Sequence, residues 1–314
     1  MKNYLKLATI AALFFTTTVY ANDDIINISY VKSPLNMQMI VMKEKHLLED
    51  NAAKEGLSIK WHEINSGAKQ AQALSSGDLD FGGVMNTTSV LMANGVGSPI
   101  KIIAGVSRPR DVYAIVSPKN GITSLSELKG KTIAGPKGTV LYQTLVAALV
   151  KNNMTINDVN FLQMELPQAF SALQSGRVDA ALLAANMMIK AEEEGGKVLT
   201  TASGLTSPLL VMTSTDKVIK AHPEWVELVI NTHDEAAKWI EANPQQAIEL
   251  AANVQGISIE DAQKLYDWSH FTQRLNQQDI KDMYSEMDFM LENDMMRNKI
   301  YVEDIILPIA LENE

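Results

Sequence analysis

Short segments of alternating apolar and polar residues recur along the first two thirds of the chain, separated by segments with helical apolar spacing. Residues 57–64 and 158–164 alternate as half-buried strands do. Each is followed by a helical segment that stops at a glycine, and then by a run of small apolar residues, 81–84 or 180–184. The order strand, helix, strand therefore predicts half of a βαβ unit in each region.

The two regions also share a motif. A-L-S-S-G-D-L-D at 73–80 is echoed by A-L-Q-S-G-R-V-D at 172–179. Each copy leads to an asparagine, Asn86 or Asn186, which we expect to cap the next helix. The repetition predicts an α/β fold class with two similar lobes and mostly parallel sheets; chance recurrence of common residues is the alternative. Ligands of such sheets lie beyond the carboxyl ends of the strands, where both asparagines fall.

The remaining pattern completes these lobes. It predicts strands at 25–31, 100–106 and 112–116, the last of them at the crossing between lobes, and a helix over 36–48. Further expected features are a helix from Ser66 to Gly77, a capping box at Ser124 and Glu127, a helix over 140–151, and a return crossing at 206–212.

From Asp216 onward the pattern is helical only. An apolar stripe in the last long helix is predicted to pack against a lobe, with a partner-binding groove as the alternative; its residues are Met283, Met287, Met290, Leu291 and Met295.

The first 21 residues read as a cleaved secretory signal peptide. Lys2 and Lys6 precede an apolar run, Leu7 to Phe15, and small residues stand at the cleavage site after Ala21. A membrane anchor is the alternative, but the run is much shorter than the ~20 residues of a spanning helix. The pattern predicts export to the periplasm.

Composition narrows the possible partners. The chain contains no cysteine, so the mature protein has neither disulfides nor a lipid on cysteine. Without Lys2 and Lys6, 25 basic and 37 acidic residues remain, a formal charge of 25 − 37 = −12. We therefore expect no nucleic-acid partner, and no transmembrane segment after the signal.

The strongest chemical signal is G-P-K-G-T at 135–139, which joins a predicted strand to the helix over 140–151. Such a turn presents free backbone N–H groups, the helix dipole adds partial positive charge, and Lys137 adds a full one. An anionic group would be stabilised there, although glycine-rich turns also occur in α/β proteins that bind nothing at that place.

Signals for catalysis are absent. The five histidines are scattered, and K-G-K-T at 129–132 lacks the earlier glycine and the strand-to-helix context of a phosphate-binding loop. The acidic run 192–194 is expected to be a solvated helix end. We expect no catalytic residues, no metal and no cofactor.

Four segments carry a family resemblance. They are A-L-S-S-G-D-L-D-F-G-G at 73–83, L-S-E-L-K-G-K-T-I-A-G-P-K-G-T at 125–139, S-G-R-V-D-A-A at 175–181, and H-P at 222–223 with W-I-E-A-N-P at 239–244. With them the chain resembles the solute-binding proteins of ABC transporters for sulfonate, nitrate and taurine, the NMT1/THI5-like family.

The resemblance implies a two-lobed type II periplasmic binding protein fold with a hinge and C-terminal helices packed on the lobes. The implied segments are the signal at 1–21, first-lobe residues 22–108, second-lobe residues 109–206, and a return crossing with helices completing the first lobe at 207–314. The implied ligand contacts follow the strands: Ser33, Pro34, Ser66, Gly67, Asn86, Thr87, Lys137, Gly138, Thr139 and Asn186.

One departure bears on the ligand. Family members often carry an aromatic residue where this chain has A-A-N-M-M at 184–188, so we expect a wider or more apolar pocket than that of a taurine binder. Whether Arg108, Arg110 and Tyr113 reach the ligand stays open; for the two arginines, salt bridges at the hinge are the expected use.

The resemblance implies a monomeric protein that binds a small anionic solute, sulfonate-like or taurine-like, and passes it to an ABC transporter permease. The alternative solutes are nitrate and a thiamine pyrimidine precursor, and a receptor-linked sensor is an alternative function. A THI5-like pyrimidine synthase is disfavoured, because those enzymes are cytosolic and use a cysteine motif.

Overall fold

Two five-stranded sheets organise the computed structural model, which describes residues 25–32 and 36–312. The first sheet, in the order β2-β1-β3-β10-β4, contains β1 (Ile25–Tyr30), β2 (Ser58–Glu63), β3 (Phe81–Asn86), β4 (Ile100–Ser107) and β10 (Leu210–Thr215). The second sheet, in the order β7-β6-β8-β5-β9, contains β5 (Tyr113–Ser117), β6 (Thr132–Gly135), β7 (Asn160–Gln163), β8 (Ala180–Ala184) and β9 (Lys197–Thr201). Each sheet with its helices is called the first or second lobe below.

Each sheet has one antiparallel strand. β1 pairs in parallel with β2 and β3, and β6 pairs in parallel with β7 and β8. β10 lies antiparallel between β3 and β4, as β5 does between β8 and β9. Both of these strands enter their sheet directly after the chain has crossed from the other lobe. The prediction of two similar, mostly parallel α/β lobes is therefore confirmed.

The strand predicted at 112–116 is not itself the crossing. As β5 it is hydrogen-bonded on both sides within the second sheet. The chain crosses in the preceding segment, residues 108–112. The predicted lobe boundaries stay predictions, and the predicted signal peptide lies outside the described residues.

Twelve α-helices occupy the described residues. They are α1 (Met37–Glu44), α2 (Leu47–Lys54), α3 (Gly67–Ser76), α4 (Thr87–Gly95), α5 (Val140–Lys151), α6 (Leu166–Gln174), α7 (Asn186–Glu193), α8 (Asp216–Ala221), α9 (Pro223–Ala242), α10 (Pro244–Gln255), α11 (Ile259–Ser269) and α12 (Gln277–Glu292).

The single helix predicted over 36–48 is wrong. The chain forms α1 and α2 instead, separated at Lys45 and His46, where His46 has the left-handed φ of 56°. Both short helices pack against α9, so the break lets two helical segments lie on one long helix. The amphipathic pattern does not encode this tertiary constraint.

Four of the predicted cap positions lie at the ends of α3, α4 and α7. Ser66 accepts a hydrogen bond from the Lys69 N–H, and Gly77 ends α3 with φ 83°. Asn86 likewise caps α4, accepting from the Ser89 N–H at 2.9 Å. The prediction that Asn186 caps a helix is wrong: Ala185 holds that position with φ 50°, and Asn186 is already the first residue of α7.

The last long helix, α12, packs against the first lobe. Met283, Met287 and Met290 of α12 are buried in one hydrophobic cluster with Val90 and Leu91 of α4. The predicted packing of the methionine stripe against a lobe is confirmed. No helix in the described part of the chain has both the length and the apolar character to cross a membrane.

Candidate functional site

A cavity of about 340 Å³ lies between the two lobes. Its first-lobe wall is built mainly from residues that follow β1, β2 and β3, and its second-lobe wall from residues that follow β6, β7 and β8. These are the carboxyl ends of parallel strands, where ligands of α/β sheets are expected. Gln255, at the end of α10, adds a contact from the C-terminal helices.

The structure brings five of the predicted ligand residues together in the cavity wall: Ser66, Gly67, Asn86, Thr139 and Asn186. Lys137 and Gly138 are adjacent in sequence to this wall without lining it, and Lys137 is exposed, with Nζ 5.7 Å from the Tyr142 ring centroid. Thr87 is buried behind the wall and donates to Glu286 at 2.8 Å. Ser33 and Pro34 lie outside the described residues. The ligand role of the whole set stays a prediction.

Six helices present their first residues or cap residues to the cavity. These residues are Asn36 for α1, Gly67 for α3, Asn86 for α4, Thr139 for α5, Glu165 for α6 and Ala185 for α7. The first N–H groups of a helix have no partner within the helix, and the helix dipole places partial positive charge at that end. The cavity is therefore surrounded by converging positive dipole ends.

At three of these helix starts, one N–H group already has a side-chain partner. Ser66 and Asn86 cap α3 and α4, and the Glu165 carboxylate accepts from the α6 backbone in a capping box with Gln168. Gly67 lets the first two helix starts lie close together, because a Cβ at this position would stand 2.7 Å from Ser89 Oγ. At each of these three ends, one N–H group is therefore already satisfied by a side chain.

Two helix starts in the second lobe have no side-chain cap. The Thr139 hydroxyl donates to the Pro136 carbonyl at 2.8 Å and does not cap α5, so the N–H groups of Val140 and Leu141 have no acceptor among the described residues. At α7 the same holds for the N–H groups of Asn186 and Met187. Four unpartnered donors at two dipole ends form a ready-made receptor for an anionic group.

The described part of the wall offers no unpaired cation. Among the described residues, its charged side chains are Lys32, Glu63 and Glu165. Lys32 pairs with Glu63 at 3.1 Å, and Glu165 pairs with Lys69 at 3.0 Å. An anion bound here would be held by backbone N–H groups and side-chain amides in place of a guanidinium or ammonium group.

The rest of the wall is largely apolar. Apolar side chains of both lobes contribute to it: Val31, Val84, Tyr113, Val140, Leu141, Leu166, Met187 and Leu210. Tyr113, which the sequence left open, lies in the wall, and burial raises the pKa of its hydroxyl, so it stays a neutral hydrogen-bonding group. The cavity thus combines one polar, anion-receiving side with an apolar body.

Arg108 and Arg110 do not line the cavity. Arg108 makes a bidentate pair with Asp279, at 2.8 Å from Nε and 2.6 Å from Nη2, and Arg110 lies 3.9 Å from Asp282. The expected salt-bridge role of both arginines is confirmed. The acidic run 192–194 is exposed at the end of α7, as predicted.

Several wall residues were missed in the sequence. Glu165 had a usable signal, because Gln168 stands three residues later, as in a capping box. Asn36, Asn65 and Gln70 had no distinguishing signal, and Gln255 reaches the cavity from a distant helix. No group of three or more ionisable ligand residues that could hold a metal ion occurs in residues 25–32 and 36–312.

Comparison with known proteins adds independent evidence. The family described as "NMT1/THI5 like" matches residues 53–247, more than half of the chain. A Bacillus subtilis (strain 168) protein, provisionally named an aliphatic sulfonates-binding protein, is 28% identical over 274 residues, covering 85% of this chain and 82% of that protein. The taurine-binding periplasmic protein of Escherichia coli (strain K12) is 28% identical over 207 residues, covering 65% of this chain and 64% of that protein.

A solved structure shares the fold. The alkanesulfonate-binding protein of Xanthomonas axonopodis pv. citri, bound to MOPS, superimposes with a TM-score of 0.78 at 22% identity, covering 90% of this chain and 98% of that one. This likeness shows the periplasmic binding protein fold and confirms the predicted fold class.

Proposed function

The chain belongs to the NMT1/THI5-like family, and from that membership we propose that it is a periplasmic substrate-binding protein, which captures a small anionic organic solute between its lobes for an ABC importer. The single observation that carries this proposal is the pair of uncapped helix starts, α5 and α7, at the cavity wall. Four free N–H groups there can donate hydrogen bonds to the oxygens of an anionic head group.

A sulfonate is the first candidate for that head group. The relatives named above are said to bind aliphatic sulfonates or taurine, and a sulfonate presents three oxygens to converging N–H donors. The cavity, at about 340 Å³, exceeds what a two-carbon sulfonate fills, and its apolar side chains would favour a longer alkyl or aryl body. Nitrate would leave most of this cavity unfilled.

Capture would follow from lobe closure. A solute that contacts both lobes favours the closed state only by as much as it binds that state better. The anionic head on α5 and α7, together with an apolar body against Val31, Val84 and Leu210, would contact the second and first lobes at once. The closed form is the one that a permease partner would recognise.

A neutral heterocycle is the second candidate, and one observation favours it. Six side-chain amides line the cavity: Asn36, Asn65, Gln70, Asn86, Asn186 and Gln255. Amides both donate and accept, which suits the edge of a pyrimidine. Such a ligand would not need the free N–H groups of α5 and α7.

A thermal-shift and calorimetric screen tests the proposal. Mature protein, refolded to remove co-purified ligand, is titrated with taurine, ethane-, hexane- and benzenesulfonate, nitrate and a thiamine pyrimidine. A ligand at 100 times its Kd stabilises by about 2.7 kcal/mol, which raises the Tm by roughly 5–10 °C. We expect the largest shift with hexane- or benzenesulfonate. Binding of the pyrimidine alone, or of no anion, would refute the anionic assignment.

A further inference from the structure

A buried carboxyl group stands behind the cavity wall, outside the proposed ligand contacts. Glu286 of α12 is 7% exposed and has no cationic partner among the described residues. Its oxygens meet the hydroxyls of Thr87 and Thr88 at the start of α4, the former at 2.8 Å. A buried carboxyl without a cation needs either these hydrogen bonds or a proton of its own.

The same cluster joins the two lobes. Thr88 Oγ1 lies 2.8 Å from Oε1 of Gln143, which sits in the second turn of α5 in the second lobe. Thr88 and Gln143 are themselves buried, at 0% and 2% exposure. The chain of contacts Glu286–Thr88–Gln143 therefore runs from the first lobe to the helix whose uncapped start faces the ligand.

Counting hydrogens assigns a protonation state to this arrangement. The Thr88 hydroxyl has one hydrogen but lies against two oxygens, Gln143 Oε1 and Glu286 Oε1. Both contacts are hydrogen bonds if a protonated Glu286 donates to Thr88 and Thr88 donates to Gln143. When Glu286 is ionised, the Thr88 hydroxyl must donate its hydrogen to the carboxylate, and the Gln143 oxygen loses its donor.

Few charged groups lie near Glu286 in the described part of the chain. On α12 itself, Asp279 is paired with Arg108, and Asp282 lies 3.9 Å from Arg110, both arginines coming from the segment after β4. α4 has no ionisable side chain. On α5, the Tyr142 ring packs on Phe161, and Lys151 is exposed at the far end. Burial raises the pKa of Glu286 to about 7; the hydrogen bonds from Thr88, Thr87 and Gln143 act against this, and the Asp282 charge adds to it.

We propose that Glu286 is a positioning residue that links ligand retention to proton uptake: its neutral form holds Thr88 and Gln143 across the lobe boundary and so keeps the start of α5 on the ligand. This inference rests on the proposed function. Ionisation takes the Thr88 hydrogen away from Gln143, so that only the direct Gln143–Glu286 hydrogen bond still links the lobes here, and it places a buried negative charge on the first-lobe side of α5. An anionic ligand is therefore held more tightly by the protonated protein, and its binding takes up a proton.

The test is calorimetric titration with hexanesulfonate, whose own charge is constant between pH 5.5 and 8.5. We expect affinity to fall about tenfold over this range, which corresponds to a shift of one pKa unit on binding. Proton uptake is read from the dependence of the apparent enthalpy on the ionisation enthalpy of the buffer. Equal affinity at both pH values with no proton uptake would overturn the inference.

Three variants separate this linkage from a merely structural role. Glu286→Gln keeps one donor and one acceptor without a charge, so it should bind tightly at both pH values. Gln143→Met removes the bridge while filling the same space, so it should bind as weakly at pH 5.5 as the wild type does at pH 8.5. Asp282→Asn, one turn earlier on α12, should keep a pH dependence of the same size with its midpoint at lower pH, because the Asp282 charge raises the pKa of Glu286. If this variant abolished the dependence, Asp282 would be the linked group.

A second measurement does not need the ligand. Small-angle scattering of the unliganded protein should give a larger radius of gyration at pH 8.5 than at pH 5.5 in the wild type, and no change in Glu286→Gln. Failure of hexanesulfonate to bind at either pH would contradict the proposed function, and the scattering comparison would then decide the lobe bridge by itself. Equal radii in the wild type at both pH values would overturn the bridge.

Discussion

Ala185 has φ 50° and ψ −129°, a region of backbone space that residues with a Cβ rarely occupy. Its own N–H donates to the Val112 carbonyl, and its carbonyl accepts from the N–H groups of Met188 and Ile189. The strained residue thus turns the chain from β8 into α7 so that the N–H groups of Asn186 and Met187 stay free. Strain of this kind is expected at a binding site, where neighbouring structure maintains it.

Replacing Ala185 by glycine should therefore lower the free energy of unfolding only slightly. Ala185→Gly relieves strain of about 1–3 kcal/mol, against roughly 0.5–1 kcal/mol of backbone entropy and the loss of one buried methyl group. We expect its free energy of unfolding, measured in urea, to be within about 1 kcal/mol of the wild type. Ala184→Gly, the adjacent buried residue without positive φ, is the matched control and should lose clearly more. Equal losses in the two variants would argue against strain at Ala185.

His233 is a buried histidine whose two ring nitrogens have no hydrogen-bond partner among the described residues. Burial lowers its pKa to about 4, so the folded protein keeps the ring neutral while the unfolded chain protonates it below pH 6.5. The unfolded state then binds more protons between pH 6.5 and 4, and stability falls as the pH drops through this window.

Replacing the His233 ring should make the free energy of unfolding less dependent on acidic pH. His233→Leu fills the site with apolar atoms and removes a pH-dependent loss of about 2–3 kcal/mol between pH 6.5 and 4. We expect the variant to gain stability relative to the wild type as the pH is lowered from 7 to 4.5, measured by urea unfolding. A constant difference between the two proteins across this range would contradict the assignment.

At the scale of elements, the starts of the helices carry the site. Ser66 and Asn86 were predictable as caps, because each is a small polar residue before an apolar helix, and local chemistry decides such positions. The failure at Asn186 has a physical reason: the cap position went to Ala185, whose conformation the packing between β5, β8 and α7 imposes. No local pattern records that constraint.

A carboxylate built into an uncapped helix start should compete with an anionic ligand. In Thr139→Asp the new side chain caps α5, so the free energy of unfolding should change by less than about 1 kcal/mol. Hexanesulfonate affinity should fall at least about 100-fold, because the new carboxylate occupies the anion receptor. Calorimetry and urea unfolding measure the two effects.

Thr215→Asp is the matched control, since Thr215 caps α8 and does not line the cavity. It should bind hexanesulfonate as the wild type does. Undiminished binding by Thr139→Asp would exclude the α5 start as the anion receptor.

At the scale of the whole molecule, the lobes meet through contacts that surround the cavity. Lys69 of α3 pairs with Glu165 at the start of α6 at 3.0 Å, and Ser89 Oγ donates to the Gly138 carbonyl at 2.9 Å. The repeated motif was sufficient to predict two lobes, because duplication appears directly in the sequence. The residues that touch between lobes were not predictable, since they are far apart along the chain and share no local pattern.

The Lys69–Glu165 pair should contribute modestly to closure. Both side chains are substantially exposed, at 61% and 44%, and exposed pairs contribute roughly 0–1 kcal/mol. Lys69→Gln should therefore weaken hexanesulfonate binding by less than about fivefold. Lys151→Gln, an exposed lysine outside the cavity wall, serves as the control for loss of one positive charge. A loss far above fivefold would mean that this pair, and not the ligand, holds the lobes together.

The insertion of β10 between β3 and β4 has a consequence for how the protein is made. The second sheet is built from one uninterrupted stretch, from β5 to β9, whereas the first sheet needs a strand from beyond that stretch. During synthesis the chain emerges from its amino end, so the first sheet stays incomplete between β3 and β4 until β10 has been made. The second lobe can fold in the meantime, and the last strand to arrive closes the first. Synthesis thus begins and ends the same lobe, and the lobe that starts first finishes last.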